Sequence, residues 1–313
     1  MPPAFSVVIP TYNRAQKILR TLLSVRDQTF ADFECIIVDD GSRDGEDLAR
    51  VVAGLNDPRF VYIRQDNAGA CSARNRGVDA ARGQFTAFLD SDDLFLPGKL
   101  QAQHALLTQA SGPDTVVFSR LIVERSQSKR WIKPPKGPRP GERIDEYVMC
   151  TQGWVQSSTI ALPTDLARRV RWDEALPSSQ DTDYAVRLAS AGATFLFIEE
   201  PLIILDDVFD PNRVSKQGNY RPLLAWIDRM RGVHVSEKAY WAYRGWQCAR
   251  VASYSDRITG IKLYLGSVWR GVYSPVQALR IAAQVCLPRH VYQSMIDKVV
   301  SAFGSRGGSS RPS

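Results

Sequence analysis

The stretch Glu34–Ser42, ECIIVDDGS, decides the fold class. After Glu34, its next four residues form an apolar run of the kind found in strands that are covered on both faces. The run stops at Asp39–Ser42, a turn signal that carries two acids. Similar strand patterns at Phe5–Pro10, Phe60–Arg64 and Gln84–Leu89 alternate with helical patterns. This alternation predicts an α/β domain built on a largely parallel sheet.

Polar clusters follow three of the predicted strands, at residues 10–14, 39–42 and 90–93. In open α/β sheets, ligands bind beyond the carboxyl ends of the strands. The coincidence of these clusters with strand ends therefore predicts one binding cleft along that edge of the sheet.

The cluster Asp90-Ser91-Asp92-Asp93 ends an apolar strand, FTAFL. Several acids at one point repel each other unless a cation neutralises them, and Mg²⁺ typically binds one or two carboxylates together with substrate phosphates. Mn²⁺ also suits oxygen ligands. The alternative interpretation is a helix N-cap formed by Ser91 or Asp92.

Asp39 and Asp40 lie where an acid can accept hydrogen bonds from a base or a ribose, although turn and cap chemistry is the equal alternative. Farther along, Gly69 permits close backbone approach, and Arg74 in the following helix can reach a diphosphate. The segment matches neither the P-loop nor the G-x-G-x-x-G pattern. ATPase and dinucleotide-binding functions therefore lose their usual support.

Asp181 stands where a loop enters a predicted helix, Asp181–Ala191. A carboxylate there serves as a general base if an attacking hydroxyl comes within hydrogen-bond reach. The alternative is an acid that merely complements the helix dipole.

The composition of the chain excludes several other classes of protein. The 313 residues include 44% hydrophobic and 23% charged residues, which is typical of a globular protein. No apolar run is long enough for a transmembrane helix, and the N-terminus lacks the features of a secretory signal. Five cysteines without C-x-x-C spacing argue against a disulfide framework and a structural zinc site. We therefore expect a cytoplasmic protein.

The charge is divided unevenly along the chain. Residues 221–313 carry 14 Lys+Arg against 4 Asp+Glu, a net charge of +10, whereas residues 1–220 carry 26 against 29, a net charge of −3. We expect a catalytic domain at 1–220, a basic helical region at 221–304 and a disordered tail at 305–313. The Pro-rich segment 126–143 is expected to be a mobile loop, and 156–162 and 194–205 to be β-like.

The apolar and basic positions of residues 258–303 leave two interpretations open. Such helices can lie on an anionic membrane face, so the protein would be peripheral at the inner membrane surface. They can equally pack on the catalytic domain or on the second copy of a homodimer.

Four motifs in one order resemble those of the family 2 glycosyltransferases. They are SVVIPTYNR at 6–14, QTFADFECIIVDDGS at 28–42, NAGACSARNRG at 67–77 and FLDSDD at 88–93. The resemblance covers about residues 5–205. It implies the GT-A fold, a Rossmann-like and mostly parallel central sheet flanked by helices, here with a helical C-terminal extension. It also implies transfer of a sugar, with inversion, from a nucleotide diphosphate donor, expected to be UDP-linked, to an acceptor hydroxyl.

The resemblance also implies roles for individual residues. Asp181 is the expected base, with Gln180 where the family usually has Glu, and Asp92 is the expected ligand of Mn²⁺ or Mg²⁺. Many relatives carry a histidine after the strand at 194–205, where this chain has Asp206-Asp207, so Asp207 is the substitute candidate. The residues expected to bind the nucleotide sugar are Pro10, Thr11, Tyr12, Arg14, Asp39, Asp40, Asn67, Arg74, Asp90 and Ser91.

The expected partners are the nucleotide sugar and a glycan, lipid-linked or other hydroxyl acceptor, as in polysaccharide or glycoconjugate synthesis, and no nucleic acid. One alternative is a protein that binds nucleotide sugars without turnover. Another is a nucleic-acid-binding protein that uses the basic, Trp-containing C-terminal region. A haloacid-dehalogenase-like phosphotransferase also places D-x-D after a strand, but there the first Asp follows the first strand of the core.

Overall fold

A computed structural model describes residues 2–126, 129–151, 153–207, 219–287 and 291–292. The chain forms two compact units, Met1–Ser215 and Lys216–Ser313. The sequence placed this boundary five residues later, between 220 and 221. The tail predicted to be disordered, 305–313, lies outside the described residues.

A mixed sheet forms the centre of the first unit. In the described ranges it has nine strands: β1 (Phe5–Thr11), β2 (Phe33–Asp40), β3 (Phe60–Gln65), β4 (Phe85–Phe88), β5 (Leu94–Phe95), β6 (Thr115–Ser126), β7 (Lys129–Lys133), β8 (Ala161–Pro163) and β9 (Thr194–Asp206). Their order is β3-β2-β1-β4-β8-β6-β9-β5, with β7 paired to β6. Strands β1 to β4 pair in parallel, as the alternating pattern predicts. The other half combines one parallel pair, β6 with β9, with antiparallel pairs.

Helices cover both faces of this sheet. They are α1 (Leu19–Arg26), α2 (Gly45–Ala53), α3 (Ala70–Ala80), α4 (Lys99–Gln109), α5 (Ile144–Cys150), α6 (Thr164–Arg169) and α7 (Gln180–Ser190). Because side chains alternate along a strand, Val7 and Ile9 enter one core with α1 and α2, whereas Val8 enters another with α7. A strand buried on both faces needs apolar residues at nearly every position, which explains the run in β2.

The register of the parallel strands brings their carboxyl ends together. Thr11 of β1 lies opposite Asp39 of β2, which in turn lies opposite Arg64 of β3. Helix α3 packs so closely beneath this edge that a Cβ on Gly77 would come within 2.3 Å of Val8 Cγ1. The helix that carries Arg74 is therefore fixed against the strands that form the cleft.

Two predicted segments differ from the structure. The segment 126–143, predicted as a mobile loop, contains β7, because its residues 129–133 complete a hairpin with β6. The segment 156–162, predicted as β-like, is mainly a 3₁₀ turn at Ser157–Thr159 followed by the start of β8. There Gln156 caps the turn by accepting a hydrogen bond from the Ser158 amide, so local side-chain bonding replaces strand pairing.

The second unit is helical, as predicted. It contains α8 (Arg221–Met230), α9 (Glu237–Tyr243), a π-helical turn (Arg244–Cys248), α10 (Ala249–Ala252), α11 (Arg257–Val268) and α12 (Pro275–Cys286). Asp256 caps α11, and Ser274 with Gln277 forms a capping box on α12. Tyr264 and Ile281 pack in the core between the last helices. No helix among the described residues has the length and apolar character needed to cross a bilayer.

Candidate functional site

An open cleft of about 1230 Å³ lies along the carboxyl ends of the parallel strands. It gathers most of the residues that the sequence singled out, although they are scattered over more than 170 positions. The predicted residues that line it are Pro10, Thr11, Tyr12, Arg14, Asp40, Arg74, Asp90, Ser91, Asp92 and Asp181. The convergence is a consequence of parallel pairing, since each polar cluster follows a strand that ends at the same edge.

Asp39 lies beneath the cleft. Its fully buried carboxylate accepts hydrogen bonds from the Ser42 amide at 2.9 Å, the Tyr62 hydroxyl at 2.6 Å and Arg64 Nη1 at 3.1 Å. These contacts hold the turn after β2. They favour the turn-and-cap interpretation for this residue over direct contact with a nucleotide.

Asp40 points its carboxylate toward the segment that precedes α3. It accepts hydrogen bonds from the amides of Ala68 at 2.9 Å and Gly69 at 2.8 Å, and from Gln65 Nε2 at 2.8 Å. Asn67 Nδ2 donates to the Asp40 carbonyl at 2.8 Å, so this exposed residue joins the same network. Asp40 and Asn67, both expected to bind the nucleotide sugar, are thus connected directly, and the Asp40 carboxylate already accepts several hydrogen bonds from the protein.

Arg74 is buried and stands at the centre of the acids. Its guanidinium donates to Asp90 Oδ1 at 2.7 Å and to Gln180 Oε1 at 3.1 Å, and it lies 4.6 Å from the centroid of the Trp172 ring. Only a planar, permanently charged group can stack and donate in two directions at once. Gln180, which replaces the family's usual Glu, has its oxygen bound to this arginine.

The turn at Gln156–Thr159 supplies functional contacts that the sequence analysis missed. Ser157 Oγ donates to Asp90 Oδ2 at 2.8 Å, Gln156 Nε2 lies 3.1 Å from both Asp90 Oδ2 and Asp93 Oδ2, and Ser158 Oγ donates to Asp93 Oδ2 at 2.6 Å. The sequence feature that could have indicated these contacts is a run of four polar residues, QSST, between apolar neighbours. Such a run in a buried segment needs polar partners.

Two acids of the site hold their protons unusually tightly. Burial raises the pKa of Asp181 to about 7, and the negative charge of Asp90 adds to the rise, while Arg74 and the Ser157 amide oppose it. Burial also raises the pKa of Asp93 well above its usual value, with help from the charges of Asp90 and Asp92. Among the residues that line the cleft, seven Asp side chains face four Arg and Lys side chains, so its acids outnumber its cations.

Asp92 presents its partly exposed carboxylate to the cleft, 3.7 Å from Arg14 Nη2. Asp207, the substitute candidate for the family's histidine, also lines the cleft, where it accepts a hydrogen bond from Arg125 at 2.8 Å. The structure shows no group of three or more His, Cys, Asp or Glu side chains arranged to hold a metal ion within the ranges that it describes. A divalent ion that relies on one or two carboxylates and on substrate phosphates fits this donor set, and the excess of acids over cations favours it.

A mixed α/β sheet with an acidic cleft at its strand ends is the arrangement that the four motifs implied. The sequence model described as Glycosyl transferase family 2 matches residues 6–164, just over half of the chain. The chain belongs to that family. The resemblance read from the four motifs is confirmed, and so is the fold class that it implied.

Among curated relatives, the chain is 31% identical over 250 residues to "Amylovoran biosynthesis glycosyltransferase AmsB" of Erwinia amylovora, covering 78% of this chain and 83% of AmsB. The next three relatives, uncharacterised glycosyltransferases of Rickettsia species, are longer, and the chain spans 30%, 30% and 31% of their length.

Two solved structures share the fold at low sequence identity. S. aureus TarS 1-349 in complex with UDP-GlcNAc has a TM-score of 0.58 and 18% identity, covering 97% of this chain and 90% of that 1-349 chain. The mannosyltransferase PcManGT of Pyrobaculum calidifontis in complex with GDP-Man and Mn²⁺ has a TM-score of 0.53 and 16% identity, with coverage of 97% and 88%.

Proposed function

We propose that the cleft binds a UDP-linked sugar with Mn²⁺ or Mg²⁺ and transfers the sugar, with inversion, to an acceptor hydroxyl in polysaccharide or glycoconjugate synthesis. The observation that carries this proposal is the convergence of Asp40, Arg74, Asp90, Asp92 and Asp181 around one cleft. The name of AmsB supports an acceptor of the polysaccharide type, and the UDP-GlcNAc bound to TarS supports the choice of donor.

The nucleoside end of the donor is assigned to the β1 and β2 edge. Thr11 and Asp44 line the cleft, and their Oγ1 and Oδ1 atoms are buried without a hydrogen-bond partner among the described residues. A buried polar atom without a partner is costly, so these two atoms are suited to ribose or base groups of a ligand. Tyr12, which is partly exposed beside them, offers a ring for a base to lie against.

The diphosphate end is assigned to Arg14 and Arg74, with Asp90 toward the ribose or sugar. Asp92 is the proposed protein ligand of the divalent ion, and Asp207 lies in the same cleft. Such an ion, when bound, offsets the negative charge that grows on the departing diphosphate. The guanidinium of Arg74 stabilises the same negative charge. It does so effectively because Asp90, Gln180 and Trp172 hold it in a fixed position.

Asp181 is the proposed general base. Its raised pKa, about 7, makes it a better proton acceptor than an ordinary carboxylate while leaving a useful fraction ionised near neutral pH. A single displacement with inversion needs one base on the face opposite the leaving group and no protein nucleophile. The amide of Ser157 donates to Asp181 and fixes its carboxylate in the cleft.

The test is a panel of sugar nucleotides, each with Mn²⁺, Mg²⁺ or EDTA, read first by thermal unfolding and then by transfer to a glycan acceptor. A UDP-sugar should raise the melting temperature only when a divalent ion is present. Asp92→Asn should lose the ion-dependent part of that rise. Asp181→Asn should keep it and lose transfer by about 10²–10⁴-fold, and the matched surface control Asp165→Asn should change neither.

Two outcomes would refute the proposal. The first is equal stabilisation by UDP-sugars with and without a divalent ion together with unchanged binding in Asp92→Asn. The second is retention, rather than inversion, of anomeric configuration in the product, read by NMR, because retention is incompatible with one displacement.

A further inference from the structure

Helix α11 is apolar on two opposite sides. Gly260, Tyr264 and Ser267 are buried in the second unit. Ile258, Leu265 and Trp269 are exposed, with 68%, 55% and 85% of their surface open to solvent. At 100° per residue, positions 258, 262, 265 and 269 fall within about 60° of one another, on the side of the helix opposite the buried residues. An amphipathic helix with only one packed face would carry polar residues at these positions.

Helix α12 repeats the arrangement. Ile281 and Val285 are buried, while Val276 and Leu279 on the other side of the helix are exposed, Leu279 at 73%. Trp269 closes α11 and Val276 opens α12, so exposed apolar side chains flank the connection between the two helices. We call Ile258, Leu265, Trp269, Val276 and Leu279 the outer apolar set.

The charged residues within α11, α12 and their connection are all basic, although Asp256 caps the start of α11. Residues 257–286 contain Arg257, Lys262, Arg270 and Arg280 and no Asp or Glu. All four basic residues are exposed, and Lys262 lies within the α11 stripe between Ile258 and Leu265. Lysine and arginine stems can lie along apolar surface while their charged ends reach outward.

We propose that the outer apolar set and its four basic residues form a docking surface for an anionic lipid bilayer. Exposed Trp, Leu and Ile insert at the boundary between head groups and acyl chains, and the basic residues contact anionic head groups. The sequence alone left open both membrane docking and packing on the catalytic domain or on another copy. A homodimer formed through this surface would bring the basic residues of the two copies face to face, where they repel each other. A nucleic acid would contact the basic residues through its phosphates and would leave the apolar stripe without a role.

The test is co-sedimentation of the full chain with vesicles of 30% phosphatidylglycerol in phosphatidylcholine and with pure phosphatidylcholine. We expect binding to the anionic vesicles at least 10-fold tighter, and weaker in 0.5 M NaCl. The double variant Leu265→Ser/Trp269→Ser and the single variant Lys262→Glu should each reduce this binding at least 10-fold. Since these side chains are exposed, the melting temperature should stay unchanged.

Two matched variants on the first unit serve as controls. Ile132→Ser removes an exposed apolar side chain and Arg50→Glu reverses an exposed basic one, and both should bind vesicles like the unmodified chain. Equal binding by the Leu265→Ser/Trp269→Ser variant and the unmodified chain would overturn the proposal. So would a lipid-free dimer, seen by sedimentation equilibrium, that this double variant dissociates, or binding to RNA that the same substitutions abolish.

Discussion

Replacing Asp181 by Asn should remove activity and at the same time stabilise the metal-free protein at alkaline pH. The folded state raises the pKa of Asp181 from 3.8 to about 7, because burial and the Asp90 charge disfavour ionisation. The folded protein therefore holds the proton more tightly than the unfolded chain. Stability from this group is complete below about pH 4 and declines as the pH rises toward 7.

The size of the effect follows from the shift. About three pKa units at 1.36 kcal/mol each give an upper bound of about 4 kcal/mol. The carboxylate lines an open cleft, where solvent screens part of the repulsion, so we expect about 2 kcal/mol. Asn has nearly the same shape and keeps an oxygen that accepts the Ser157 hydrogen bond, but it does not ionise.

The assay is urea denaturation in EDTA at pH 4.5, 6, 7 and 8, for the unmodified chain, Asp181→Asn and the surface control Asp165→Asn. Asp165 is 85% exposed, so its variant should follow the unmodified chain at every pH. The advantage of Asp181→Asn should be smallest at pH 4.5, where the unfolded chain has already begun to ionise at this position, and should reach its full value at pH 8. If Asp181→Asn were no more stable than the unmodified chain at pH 8, the folded state would not be raising the pKa of Asp181, and the prediction would be refuted.

Three further predictions concern the supports of the cleft. Ser157→Ala removes the 2.8 Å hydrogen bond to Asp90. Because a hydrogen bond to a charged group contributes about 1.5–3 kcal/mol, steady-state kinetics should show kcat lowered about 10–100-fold, with little change in donor KM. Gly77→Ala places a Cβ 2.3 Å from Val8 Cγ1 and should lower the free energy of unfolding by about 1–3 kcal/mol in urea titrations. An unchanged free energy of unfolding would show that a small shift of the helix removes this clash. Arg74→Lys keeps the charge but loses the planar fork, so calorimetry should show donor affinity falling at least about 10-fold, and an unchanged affinity would exclude its phosphate role.

The sequence was most informative where one strand is followed at once by its functional residues. In β2 and β4 the apolar run and the acids after it are continuous, so the strands and the edge at which Asp40 and Asp92 meet could be predicted together. The 3₁₀ turn at Ser157–Thr159 could not, because its shape depends on hydrogen bonds to Asp90 and Asp93, more than 60 residues earlier in the chain. Strand β7 was missed for a similar reason, since among the described strands it pairs with β6 alone.

The link between Arg74 and Gln180 joins residues that are 106 positions apart. The stretch recognised by the family model ends at residue 164, before Gln180 and Asp181. A nascent chain that has emerged only that far already contains the acids that follow β2 and β4, but neither Gln180, which accepts a hydrogen bond from Arg74, nor Asp181, the proposed general base. If Asp181 is the base, as proposed, we expect no sugar transfer by the growing polypeptide before helix α7 has left the ribosome, nor by a fragment that ends at residue 164.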